Sequence, residues 1–175
     1  YEPFHVARLF ATLDLMTRGR AAWNVVTTAA DVSKNFSIPG HPAHADRYQR
    51  AQEVVDLVLD LWDSYEDDAL VIDKESGIFL DPAKVHQVNH HGQFFDVAGP
   101  LNVARSPQGR PVVVQAGASE AGRELAARTA EVIFTANQTL AAGQEFYADI
   151  KGRLAKYGRR PDQLLIMPGI FPVLG

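Results

Sequence analysis

Apolar side chains recur at intervals of three and four through the first stretch of the chain, at Val6, Phe10, Leu13 and Met16. That spacing predicts an amphipathic helix over about 3–16 with those four residues as its inner stripe. Pro3 suits the first helical turn, and Gly19 ends the segment. Residues 21–26 read as a short buried strand whose end carries Asn24 and Thr27. After a polar loop with Pro39 and Pro42, a second helical pattern runs from about Ala43 to Tyr65. Tyr48, Ala51, Val55, Val58, Trp62 and Tyr65 mark its inner face, while Asp46, Arg50, Glu53 and Asp60 are expected to face water.

The helical period disappears over 66–110, where Asp67-Asp68, Lys74-Glu75-Ser76-Gly77 and His90-His91-Gly92 fall. This segment is read as an insertion, with Leu70–Ile72 and Phe94–Val97 as small strands or hairpin arms. A strand is expected at 112–115, a helix from Ser119 to about Thr129, a strand at 131–135, and a helix over 141–157. That last helix carries Tyr147, Ile150, Leu154 and Tyr157 in register and stops at Gly158, ahead of a strand over 164–174. Strands alternating with helices imply right-handed crossovers and a parallel α/β sheet. The pattern alone fits a TIM barrel and a doubly wound sheet equally.

The chemistry concentrates where Val112-Val113-Val114 runs into Gly117, Ser119 and Gly122 and opens a helix. A helix N-terminus carries unpaired N–H donors and about half a positive charge, so it suits a phosphate. The loop is not a Walker loop, because Arg123-Glu124 stands where Lys-Ser/Thr is needed. Nor is it the dinucleotide fingerprint, since its glycines are spaced G-x-x-x-x-G. The competing reading is that Ser119 simply caps an ordinary helix. Six histidines include the pairs His41/His44 and His90/His91, but no His-Glu-x-x-His pattern and no cysteine accompany them, so no metal set is assigned. His86, His90 and His91 are read as solvated loop residues. Ser106 lacks the G-x-S-x-G frame of a nucleophile elbow. Trp62 is expected in the core, with Trp23 beside the strand end.

Composition narrows the class further. A 46% hydrophobic, 22% charged chain of 175 residues has enough apolar material for one core. A net charge of −4 with scattered arginines argues against nucleic acid as a partner. The absence of cysteine removes disulfides and thiol chemistry and fits a cytoplasmic protein. No apolar run reaches the roughly 18 residues of a membrane span. With no initiator Met, and with a closed barrel needing about 250 residues, the chain is read as the middle portion of a larger enzyme.

Five segments together carry a family likeness: Gly19–Thr28, Asn35-Phe36, His44-Ala45-Asp46-Arg47-Tyr48, Gly99–Pro111 and Gln115-Ala116-Gly117-Ala118-Ser119. With them the sequence resembles the nitrilotriacetate monooxygenase/dibenzothiophene-sulfone monooxygenase group of the bacterial-luciferase-like superfamily, over nearly its whole length. The resemblance implies a (β/α)₈ TIM barrel, of which residues 1–175 are part of one domain and 66–110 an insertion within it. It also implies a two-component flavoenzyme that uses reduced FMN (FMNH₂), supplied by a separate NAD(P)H:FMN reductase, to activate O₂ and oxygenate an organic small molecule. A homo-oligomer is expected. The FMN phosphate is placed near His44, Tyr48 and Ser119, with Gly117 and Ala118 in the turn, and Asn24 and Thr27 are candidates to contact the flavin ring or the substrate. The alternatives are a non-catalytic flavin- or phosphate-binding barrel and a flavin- or deazaflavin-dependent reductase of the same superfamily. Catalytic residues and substrate are left unassigned.

Overall fold

The computed structural model describes residues 2–27, 31, 33–36, 40 and 43–172, the side chains of Lys34, Phe36 and His44 excepted. Pro39, His41 and Pro42 therefore lie outside the described residues. Contacts divide the chain into two compact units, one of 1–22 with 49–111 and one of 23–48 with 112–175.

In the first unit, α1 (Pro3–Met16) has Pro3 in its first turn, but its buried residues are Pro3, Ala7, Ala11 and Asp14. The expected stripe is out of phase by one position, with Leu13 and Met16 exposed at 46% and 78%. Alanines let a neighbouring element approach the backbone closely, and Trp62 uses that room to donate its indole N–H to the Ala7 carbonyl at 2.9 Å. Asp14 is fully buried. Its carboxylate accepts from Ala21 N at 2.9 Å, from Gln108 Nε2 at 2.6 Å and from the Ser106 hydroxyl. Those bonds give Ser106 and Gln108 a structural role, clipping the 106–109 turn to the end of α1.

The strand β1 (Ala22–Val25) follows, burying Trp23 and Val25 and exposing Asn24. The long helix α2 (His44–Trp62) ends three residues earlier than its pattern suggested. Tyr48, Val55, Leu57, Val58, Leu61 and Trp62 are buried along it. Glu53 departs from expectation: its side chain is 13% exposed and accepts from His90 Nε2 at 3.1 Å, Phe94 N at 3.0 Å and Phe95 N at 2.9 Å. His90 is thus held by α2 and is not a freely solvated loop residue. Segment 66–110 contains two antiparallel hairpins, β2 (Leu70–Asp73) with β3 (Ile78–Leu80) and β4 (His90–His91) with β5 (Asp96–Val97). Phe94 and Phe95 form the connection that Glu53 fastens and precede the strand.

The second unit is built on β6 (Val112–Gln115), α3 (Glu120–Thr129), β7 (Val132–Thr135), α4 (Leu140–Leu154) and β8 (Leu165–Pro168). The strand order is β1-β6-β7-β8, so each strand is added beside its predecessor without reversal. β6 pairs parallel with β7, and β7 with β8. Helix α4 buries Ile150 and Leu154 as expected, but Phe146 is buried in place of Tyr147, which is 54% exposed. Its last turn tightens at 155–157 and is stopped by Gly158 at φ 65°, a left-handed conformation glycine adopts without strain. β8 ends at Pro168, short of the expected 174.

Ion pairs join α3 to α4. Arg153 meets Glu120 at 2.5 Å, Glu124 at 2.9 Å and Asp149 at 2.9 Å, and Glu124 also accepts from Lys156 and the Tyr157 hydroxyl. Those partners hold the Glu124 carboxyl at about 2, well below its ordinary value, led by the Lys156 bond. The sheet itself has two unlike faces. Val113, Gln115, Ile133 and Thr135 are buried, whereas Phe134, Leu165 and Met167 are about half exposed. Register puts Phe134 beside Met167 and Val132 beside Leu165, so the open face is a continuous apolar surface.

Candidate phosphate-binding turn

Three β-branched residues drive β6 into the sheet, and Gln115 then closes it as a polar group only 3% exposed. The Gln115 side chain folds onto its own downstream backbone, its Oε1 accepting from Ala116 N at 2.8 Å and Gly117 N at 2.9 Å. The chain turns through 116–118 and enters α3 at Ser119, whose backbone is extended at φ −68° and ψ 161°, as an N-cap requires. Ser119 Oγ accepts from Gly122 N at 3.2 Å. It also donates to the hydroxyl oxygen of Tyr48 at 3.1 Å, a bond across 71 residues of sequence.

Two glycines make this convergence possible. A Cβ on Gly117 would stand 2.9 Å from the Gly122 Cα, and a Cβ on Gly122 would stand 2.9 Å from the Gly117 Cα and 3.0 Å from the Tyr48 hydroxyl. The requirement is steric, since neither glycine has a positive φ. The G-x-x-x-x-G spacing therefore records a loop folded back on the first turn of its own helix.

Gly117 N is engaged by Gln115, Gly122 N by the Ser119 hydroxyl and Arg123 N by the Ser119 carbonyl at 2.8 Å. Among the described residues, the N–H groups of Ala118, Ser119, Glu120 and Ala121 have no acceptor. These four are the unpaired donors a helix start presents to an anion. Gly117 contributes close approach and no donor. Glu120 would repel an anion here, but Arg153 grips both its oxygens, at 2.5 and 2.9 Å, and lowers its pKa.

Of the residues singled out in the sequence, Tyr48, Gly117, Ala118 and Ser119 come together in one turn. Ser119 is at once the helix cap and the partner of Tyr48. His44 opens α2 four residues before Tyr48, one turn away on the same helix face. Its side chain lies outside the described residues. Asn24 is exposed near the end of β1, the strand next to β6, and Thr27 is half-buried just beyond it. No described hydrogen bond ties either of them to the turn. Sequence reasoning missed Gln115, although a glutamine closing a run of three valines is itself a signal, because a buried amide must find partners. No group of three His, Asp or Glu side chains placed to hold a metal occurs among the described residues. None of the described helices is long and apolar enough to cross a membrane.

A parallel sheet with strands added in sequence, helices against one face and an anion-suited turn at a strand end defines a βα-type binding scaffold. The comparisons make this specific: residues 1–175 match the luciferase-like monooxygenase family, and the chain belongs to it. It is 55% identical over 174 residues to N-acetyl-S-(2-succino)cysteine monooxygenase of Bacillus subtilis (strain 168), covering 99% of this chain and 40% of that protein. It is 56% identical over 170 residues to nitrilotriacetate monooxygenase component A of Aminobacter aminovorans, covering 97% and 38%. Among solved structures, a riboflavin lyase with modified FMN and substrate riboflavin superposes with a TM-score of 0.90 at 40% identity, covering 96% of this chain and 38% of that one. The chain thus spans about 40% of the length of the relatives it matches. The fold is part of a (β/α)₈ barrel, and Phe134, Leu165 and Met167 occupy the sheet face that lines a barrel's packed interior.

Proposed function

We propose that this chain is part of a cytoplasmic FMN-dependent monooxygenase. It would take reduced FMN from a separate NAD(P)H:FMN reductase and transfer one oxygen atom of O₂ to an organic small molecule. The observation that carries the reading is the Tyr48–Ser119 hydrogen bond, which brings two distant segments to the start of α3 in a chain of the luciferase-like family. Similarity to the component A protein supports the two-component arrangement, and similarity to a riboflavin lyase with modified FMN supports the flavin.

The residues fit a phosphate monoester. The glycine pair leaves a cradle that any Cβ would fill, and four backbone donors lie at its helix start. The hydroxyls of Tyr48 and Ser119 and the N–H groups of 118–121 would hold the phosphate, with His44 one turn before Tyr48. Asn24 and Thr27 would meet the flavin ring or the substrate. Reduced FMN, when bound, supplies the electrons that activate O₂. The chain's own task is positional: fixed donors anchor one end of the cofactor, and the surrounding apolar surface excludes water from the other.

Titration of the full-length protein with FMN tests this. Ser119→Ala and His44→Ala are each expected to weaken binding by about 1–3 kcal/mol, the range for a hydrogen bond to a charged group. Ser119→Ala also removes a cap, so stability is measured in parallel. Unchanged FMN affinity in the double variant would return Ser119 to capping alone. Reduced FMN that is reoxidised by O₂ at the same rate with and without the protein would remove the monooxygenase reading.

A further inference from the structure

We infer that Gln115 is the positioning residue of this turn, and that through it the site distinguishes FMN from flavins lacking a phosphate. The inference rests on the FMN reading above.

Gln115 is a buried amide at the end of an apolar strand, where an unbonded polar group would be costly. It meets that demand by taking two consecutive backbone N–H groups, those of Ala116 and Gly117. Two consequences follow. The first is that neither backbone N–H of 116–117 is left for a ligand, so the backbone donor set begins at Ala118, where the chain swings towards α3. The second is that Gly117 is pinned from both sides. The site of its missing Cβ lies 3.2 Å from Gln115 Oε1 and 2.9 Å from the Gly122 Cα, and Gly122 in turn abuts the Tyr48 hydroxyl. One side chain thus fixes the spacing between the loop, the first turn of α3 and the Tyr48–Ser119 pair.

The next strand-to-helix turn in the chain shows that this wiring is not a requirement of the loop length. Thr135 ends β7, Thr139 caps α4 and its hydroxyl accepts from Ala142 N at 3.2 Å, the same spacing as Gln115, Ser119 and Gly122. There the strand-end side chain takes an amide from Asn137 at 2.7 Å, and the nearby Gly143 faces open space. An equivalent turn forms without a glutamine gripping its backbone and without a glycine pair. The extra wiring at Gln115 belongs to what the first turn binds.

FMN and riboflavin share the ring and differ by the phosphate, so the ratio of their affinities isolates the donors of this turn. The experiment uses the full-length protein and titrates oxidised FMN and riboflavin separately against wild type, Gln115→Met and Gln115→Glu. Wild type should prefer FMN. Gln115→Met, similar in volume but without the amide acceptor, should lose on the order of tenfold in FMN affinity with riboflavin affinity unchanged. Equal losses for both flavins, or no loss for either, would overturn the inference. Gln115→Glu keeps an acceptor for both N–H groups while adding a negative charge beside the phosphate. Its FMN:riboflavin ratio should fall at low salt and recover towards wild type at high salt. If Gln115→Met does not fold, that salt-dependent ratio decides, and a ratio identical to wild type at every salt concentration overturns the proposal. A wild-type protein that binds both flavins equally would instead sink the underlying phosphate assignment, so the two failures are distinguishable.

Discussion

Replacing Gly122 by alanine tests the packing of the turn directly. The new Cβ would stand 2.9 Å from the Gly117 Cα, 3.0 Å from the Gly117 carbonyl carbon and 3.0 Å from the Tyr48 hydroxyl. Two of those neighbours are backbone atoms, which cannot swing away as a side-chain tip can, so loop and helix must separate by several tenths of an ångström. Overpacking of this kind costs about 1–3 kcal/mol. Alanine's better helix propensity returns about 1 kcal/mol, which leaves a net destabilisation of about 0–2 kcal/mol. The Tyr48–Ser119 bond, now 3.1 Å, should lengthen with the separation, and FMN affinity should fall about tenfold if that bond helps hold the phosphate. Gly143→Ala is the control, since a Cβ there meets nothing within 4 Å. It sits in the first turns of α4, so only the propensity gain applies and the protein should become more stable, by up to about 1 kcal/mol. Urea unfolding of both variants in the full-length protein reads the difference. Equal stabilities for Gly122→Ala and Gly143→Ala would refute the close-approach argument.

Other perturbations follow from the wiring of the two units. Glu124, held at about 2 by Lys156, Tyr157 and Arg153, contributes stability that is present above its unfolded value of about 4.3 and lost as pH falls towards 2. Glu124→Gln should therefore lower the urea midpoint at pH 7 and flatten its decline between about pH 5 and 2; parallel profiles for variant and wild type would contradict the assignment. Burial raises the pKa of Glu53, but the bonds from His90, Phe94 and Phe95 outweigh it and the net shift is downward. Glu53→Ala should free the connection between β4 and β5, seen as new proteolytic cleavage within 90–97, and an unchanged digestion pattern would show that the hairpin holds itself. Asp14→Ala leaves the Ala21 N–H and the Ser106 and Gln108 side chains without their acceptor in a buried place, and should cost about 3 kcal/mol or more in urea unfolding. A loss under about 1 kcal/mol would mean that water replaces the carboxylate without difficulty.

Legibility in the sequence followed the range of the interaction. The four strands of the sheet and helices α2, α3 and α4 were readable because period, caps and glycine stops are local signals, and Ser119 and Gly158 announced their places. The phase of α1 was not, and on α4 the predicted stripe held at Ile150 and Leu154 but failed at Tyr147. A sequence reading equates bulk with burial, so it chose Leu13 and Met16 over Ala7 and Ala11, and Tyr147 over Phe146. Small residues are buried where elements touch most closely, and only the partner, here Trp62, reveals that. Charged residues misled in the same way. Glu53 lies at a position that looks solvent-facing on a helical wheel, and its partners stand 37 to 42 residues away.

The turn after β6 combines both cases. Its location was legible because glycine, serine and a helix start coincide, but the part Gln115 plays in it was not. Gly117 was read as the point of close backbone approach, and the structure gives the reason: its N–H is taken by Gln115 and its value is the absence of a Cβ. What decides the assignment is satisfaction: a buried amide at the strand end must pair, and the nearest groups are the next two N–H groups of the chain. Once these are removed, the donors that remain are those of the helix start proper, 118–121, beside the paired hydroxyls of Tyr48 and Ser119. An anion bound as proposed would thus be held by the helix start, with the strand-end glutamine and the glycine pair supplying the rigidity that keeps those donors oriented.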